Sequence, residues 1–235
     1  MRLPSPAARM LAVAALPLAL AACSSSTSAD SADGPAASAT PSKAADPNAG
    51  LLTGTQLKKA LAPASYFRSG FAADASLARD TGDTYQPPAT KSAAKPHCAD
   101  LAATSWISLT GVEGVSFAQS SYINRNTSAE LDQEIDVYRG ATGADVLKGL
   151  ADVVAACPGY TDSDTHSKVK VTGAVTAGLG DEAYTIKLTS SAWETGTTLI
   201  AARTGTAVVS VLSTDGADDV GSSQRPEGVL RCAAR

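Results

Sequence analysis

An α+β fold built on an antiparallel sheet is predicted by three features of the sequence. Short segments with period-2 patterning come in two runs, Val115–Tyr138 and Lys168–Ser213. Turn signals of only a few residues separate neighbouring segments, which suits antiparallel hairpins. One long amphipathic segment, Thr142–Cys157, stands between the runs. Strands in runs beside a helix point to α+β and away from an alternating parallel sheet.

The chain of 235 residues opens with a segment that belongs to none of these elements. Arg2 and Arg9 precede a short apolar core, Met10–Leu20, and Leu20-Ala21-Ala22-Cys23 follows, with serines immediately after. This is the three-part form of a secretory signal. With Cys after the small residues it resembles the lipobox of bacterial lipoproteins. The resemblance implies removal of residues 1–22, a diacylglyceryl thioether on Cys23, and membrane attachment of the mature chain through lipid. The apolar core is too short to span about 30 Å of hydrocarbon. Ser24–Gly50 is dominated by Ser, Ala, Thr, Asp, Pro and Gly, without an aromatic, Leu, Val or Ile. It cannot bury enough apolar surface to offset its ordering entropy, so residues 23–50 read as a lipidated cysteine and flexible tether of roughly 30 Å reach. Residues 51–235 are the size of one domain with one core.

Within that domain, Thr53 reads as the N-cap of a short helix to Ala62, with Leu57 and Leu61 on one face and Pro63 beyond its end. Tyr66, Phe67 and Phe71 are expected to reach the core, and the rest of Ser65–Pro96, with its Gly and Pro residues, reads as a long loop. His97–Trp106 reads as a second short helix. Val115–Arg125 and Glu130–Tyr138 read as strands joined by a turn at Asn126-Thr127-Ser128. Thr142 is the expected cap of the long helix, with Asp145 in its first turn where a carboxylate is favoured. Val146, Leu147, Leu150, Val153, Val154 and Cys157 fall on one helical face, and Pro158-Gly159 ends it. Strands at Lys168–Thr176, Glu182–Thr189, Thr197–Thr204 and Ala207–Ser213 complete a meander, the last pair joined at Gly205. Trp106 and Trp193 read as core or rim aromatics.

Charge narrows the function classes. The chain has 19 basic and 23 acidic side chains and a net charge of −4, with no basic stripe of the kind a nucleic-acid partner requires. Besides Cys23 there are three cysteines, Cys98, Cys157 and Cys232. An exported domain sits where disulfides persist, and an odd number leaves one thiol unpaired or paired between chains. Cys98–Cys157 is the preferred bridge, since both residues sit near predicted helices. No close Cys or His pairing of the kind zinc needs is present, so no metal site and no cofactor are assigned.

Glu130, Asp132, Glu134 and Asp136 share one face of their strand, spaced by about 6.6–6.8 Å. A glycosidase needs two carboxylates facing each other across a substrate, whereas these stand side by side. Two neighbours could share a calcium ion. The reading preferred is a solvated sheet face, or an edge kept charged against strand addition. Asp162-Ser163-Asp164-Thr165-His166 begins like a calcium loop, but Ser167 and Gly173 stand where glycine and glutamate are wanted, so it reads as a polar loop. No nucleophile elbow, Walker loop or zinc-protease motif occurs, and His97 and His166 are the only histidines available as a neutral-pH base. No catalytic residue is assigned.

The order of elements resembles the extracellular sensor domains of PknH-type serine/threonine receptor kinases and their free-standing lipoprotein relatives. The resemblance rests on Leu51-Leu52-Thr53 entering the first helix, Cys98 beside Leu101, and the amphipathic helix ending in Cys157-Pro158. It rests further on Gly178-Leu179-Gly180-Asp181-Glu182-Ala183 and on the hairpin Ala202–Val209, and it covers about Leu51–Ser213. It implies a twisted antiparallel sheet with helices packed on it and a cleft for an unidentified ligand, with no known reaction. The glycine-rich segment also has a plain structural reading, since glycines supply positive φ and Asp181 can bond its own turn. Residues 215–235 depart from the family, which would close with an amphipathic helix. The alanine-rich composition suggests a Gram-positive, high-GC bacterium. The expected function is that of a membrane-anchored, extracytoplasmic lipoprotein whose domain binds a small ligand or envelope component without turnover. The alternatives are a structural or interaction module of the envelope without a small ligand, and a hydrolase with an unrecognised site.

Overall fold

The computed structural model describes residues 45–87 and 96–216. The expected signal segment, Cys23 and Cys232 lie outside these residues, as does all but the start of the atypical tail. The last residues that composition assigns to the tether lie among the described ones. Residues 47–50 form a turn, and Asn48 Oδ1 accepts hydrogen bonds from Arg139 Nε and Nη2 at 3.0 and 2.8 Å.

Helix α1, Gly54–Ala60, starts at Thr53 as expected. The cap is reciprocal: Gln56 N donates to Thr53 Oγ1, and Thr53 N donates to Gln56 Oε1, which satisfies two amide donors that a helix start leaves open. Leu57 is fully buried from this helix. The long loop expected next contains a strand. β1, Phe71–Asp80, pairs antiparallel with β2, Ser116–Asn124, and its register shifts between Asp74 and Arg79. An irregular edge strand with one mostly exposed face has no apolar alternation to announce it.

The expected helix at His97–Trp106 is instead two 3-10 segments, Cys98–Ala102 and Thr104–Thr110, separated by extended backbone at Ala103. β3, Glu130–Val137, follows the turn after β2. Helix α2, Thr142–Ala156, has Ala141 and not Thr142 as its N-cap, without a side-chain cap bond. Its predicted stripe is the buried one, and Cys157 just beyond it is joined to Cys98 with Cα atoms 5.6 Å apart. A short edge strand, β4 (Gly159–Thr161), precedes β5 (Lys168–Val175), β6 (Glu182–Ser190), β7 (Thr197–Thr204) and β8 (Ala207–Ser213).

All neighbouring strands are antiparallel, in the order β1-β2-β3-β8-β7-β6-β5-β4. The return of β8 to pair with β3 joins the two runs into one sheet. Its two faces are covered by different elements. On one, Leu150 and Val153 of α2, with Trp106, pack on Val171, Ile186, Leu199 and Val208. On the other, Leu57 and Phe67 pack on Ala118, Tyr122, Ile135 and Val209. Helix α2 lies over β5 to β8, whereas α1 lies over β1 and β2 on the opposite face. Among the described residues, no α-helix lies on the α2 side of β1, β2 and β3.

Buried Gln133 ties the α1 side together. Its Nε2 donates to Ala62 O and to Tyr122 Oη at 2.6 and 2.9 Å, and its Oε1 accepts from Ala62 N at 3.0 Å. Tyr122 Oη also donates to Ala62 O. The chain leaving α1 is thus held by a side chain of the middle of the sheet.

Candidate functional site

The acidic stripe of β3 lies on the face that α2 leaves open. Alternation puts Leu131, Gln133, Ile135 and Val137 against α1 and its neighbours, so Asp132, Glu134, Asp136 and then Tyr138 point to the other side. Glu130, at the strand's start, is exposed and Asp132 is half-buried. Glu134 and Asp136 are not solvated as expected: they are 9% and 4% exposed. Nor is β3 an edge, since it pairs with both β2 and β8. The residues after the second 3-10 segment close over its end. Val115 N donates to Val137 O at 2.8 Å, and a side chain at Gly114 would press on that carbonyl and on Asp136 Cβ.

Glu134 and Asp136 line a cavity of about 360 Å³. Phe117 and Gln119 of β2 and Arg79 of β1 form one side of it, and Ile107, Ser108 and Glu113 another. Arg79, Gln119 and Glu134 are successive cross-strand partners, a polar row over three strands. The carboxyls of Glu134 and Asp136 are hydrogen-bonded to each other. Asp136 Oδ2 is buried and meets no N–H donor among the described residues, and the buried Tyr138 hydroxyl also has no hydrogen-bond partner there.

This arrangement works against ionisation. Burial pushes the Glu134 carboxyl up to about 7, the negative charge of Asp132 adding to it against the hydrogen bond with Asp136. Burial and then the Glu134 charge push Asp136 well above the carboxylate range. Burial likewise raises Asp132, the neighbouring Ser121 hydroxyl offsetting part of it, and raises Tyr138, to which the Asp136 and Glu134 charges add. Two carboxyls in low dielectric cannot both ionise cheaply, so they hold a proton between them.

The other candidates fall into structural roles. Gly180 has φ +60 and a side chain there would run into the Arg203 carbonyl. Asp181 accepts from Arg203 Nη1 at 3.0 Å and from Gly205 N at 2.8 Å. The glycine-rich segment thus fastens the β7–β8 hairpin. Asp162 Oδ1 accepts from Thr165 N and Oγ1 at 2.7 and 2.6 Å, closing a polar loop as expected. His97 is an exposed partner of Asp100. Trp106 is core, and Trp193 is half-buried beside a second, more polar cavity of about 1000 Å³ at the β2–β3 turn, next to the Arg68–Asp215 ion pair. Among the described residues no three His, Cys, Asp or Glu side chains form a group that could hold a metal ion, and no helix is long and apolar enough to cross a membrane.

The architecture defines an α+β domain with an eight-stranded antiparallel sheet. The same fold occurs in the crystal structure of the extracellular domain of PknH from Mycobacterium tuberculosis. That structure is similar with a TM-score of 0.55 and 13% sequence identity, over 78% of this chain and 95% of the other. The sequence matches no protein-family model and no curated protein.

Sequence reasoning placed the four acids on one face but missed which of them the fold buries. The available signal was four carboxylates on a strand whose alternate residues are apolar: if that strand is central, some of its acids must enter the interior.

Proposed function

We propose that this chain is a lipid-anchored, extracytoplasmic binding protein, held to the membrane through Cys23, whose domain takes a small ligand or envelope component into the cavity over β1–β3 without turning it over. One observation carries the reading. Two acidic side chains are buried at the wall of an open cavity, on a part of the sheet that no α-helix among the described residues covers. Buried carboxyls without compensating donors cost stability. Strongly perturbed acids in a cleft mark candidate functional sites. The fold shared with an extracellular domain supports a location outside the cytoplasm, as does the Cys98–Cys157 disulfide.

The reading is tested by recording amide and methyl spectra of the full-length chain with a panel of envelope fragments and small metabolites. Shifts confined to Ile107, Phe117 and Gln119, saturating with ligand and without product formation, are the expected result. A panel that moves none of these signals would sink the binding role. Product formation from chromogenic esters or glycosides, lost on Asp136→Asn, would replace it with a hydrolase.

A further inference from the structure

Resting on that binding reading, we infer that the cavity over β1–β3 recognises a small organic cation, entering with a primary ammonium group directed at Glu134 and Asp136. The wall offers the donors of such a group what they need. Asp136 is 4% exposed, its Oδ2 meets no N–H donor among the described residues, and the Glu134 carboxyl lies beside it in the same wall. An ammonium carries three donors and no acceptor, and charge-assisted bonds to carboxylate are about twice as strong as neutral ones.

Besides the neutral, buried Tyr138 hydroxyl, several elements bring charge to the pair. Arg79 comes from exposed β1 at the rim, Glu113 from the segment after the second 3-10 turn, and Asp132 from the next position along β3. β2 contributes Phe117 and Gln119, and β8 places Ser210 and Val208 opposite the two acids. The sum is negative even when Glu134 and Asp136 share one proton, and the deepest groups are the acids. An anion would meet them unscreened; a cation replaces the charge that the interior lacks. A divalent metal is a poorer occupant. Calcium takes six to eight oxygens, and among the described residues no third carboxylate, His or Cys comes close enough to Glu134 and Asp136 to complete a metal-holding group, Glu113 of the same wall included. The volume of about 360 Å³ is at the small end of ligand pockets, and Phe117 and Ile107 give the carbon chain of an amine an apolar wall.

Binding is then linked to the proton on the pair. With Glu134 titrating at about 7, the ionised fraction rises about 30-fold between pH 5.5 and pH 8, while an alkylammonium keeps its charge throughout. Calorimetric titration of the full-length chain with 1,4-diaminobutane should therefore give affinity about 30-fold tighter at pH 8. Its neutral isostere 1,4-butanediol should bind at least tenfold more weakly at pH 8. Glu134→Gln and Asp136→Asn should each weaken the diamine tenfold or more. Gln119→Glu, which adds a carboxylate to the wall, should tighten it and keeps the test informative if a β3 variant fails to fold. Equal binding of diol and diamine, a flat pH profile, or calcium chloride protecting the fold where the diamine does not would each overturn the inference. If envelope fragments without an amine move the Ile107 and Phe117 signals and the diamine does not, the cavity binds ligands but not cations. If nothing moves them, the binding reading falls as well.

Discussion

Between pH 5 and pH 8 the domain is expected to lose stability on the order of 3 kcal/mol through Glu134 alone, because its carboxyl is raised from 4.5 to about 7 by burial. In this window the native state binds more protons than the unfolded chain. Stability contributed by the protonated form is therefore complete below about 4.5 and falls as the pH rises through 7. Burial raises Asp136 in the same direction, so its ionisation adds to the loss. The hydrogen-bonded carboxyls of half-buried Asp74, Asp80 and Asp162 are shifted downward. They lose their contribution only in more acid solution and do not mask the slope. For a domain of this size the loss corresponds to a fall in melting temperature of roughly 6–12 °C. Urea unfolding of the full-length chain, followed by circular dichroism at half-unit steps, measures it. Glu134→Gln should flatten the profile and leave the variant the more stable protein at pH 8 by about 2–3 kcal/mol. A wild-type profile that is flat or rises from pH 5 to pH 8, or a variant with an unchanged slope, would show that the pair is solvated and that its burial has no energetic consequence.

Cys23→Ala should move the protein from the membrane fraction to the soluble fraction, since two acyl chains hold a protein stably where none remain; persistence in membranes after a carbonate wash contradicts the anchor. Cys157→Ser opens a bridge spanning 59 residues and should cost about 4 kcal/mol by chain entropy. Cys98→Ser/Cys157→Ser should cost little more than the single change, measured by the same urea titration. Gln133→Leu removes three hydrogen bonds around Ala62 and Tyr122 and should cost roughly 1–3 kcal/mol, because the buried Ala62 N–H is left unpaired while Tyr122 still holds the Ala62 carbonyl; no measurable loss would show that water replaces the amide. Gly180→Ala should destabilise by more than about 1 kcal/mol, as φ is +60 and Cβ meets the Arg203 carbonyl, and exchange of the Gly205 amide should speed up with it.

Local patterns were readable wherever one face of an element is apolar and the other polar. The α2 stripe, the strands from Lys168 onward and the Thr53 cap follow from spacings of a few residues, whereas Cys98–Cys157 was a preference among three cysteines that the contact of segments 59 residues apart decides. β1 was not readable, because an irregular edge strand is held by hydrogen bonds to β2 and buries too little to be patterned. The two 3-10 segments read as one helix because i, i+3 contacts look alike in both until the backbone at Ala103 extends. The stripe Glu130–Asp136 shows the same division at the candidate site. Period 2 placed the four acids on one face of β3. Whether that face meets water depended on β8, about 70 residues later in the chain, pairing with β3 and making it central, and on Glu113–Gly114 closing its far end. Such contacts are set by packing between distant segments, and burial, which turns a row of ordinary carboxylates into a proton-sharing pair, is a property of that packing and not of any local sequence.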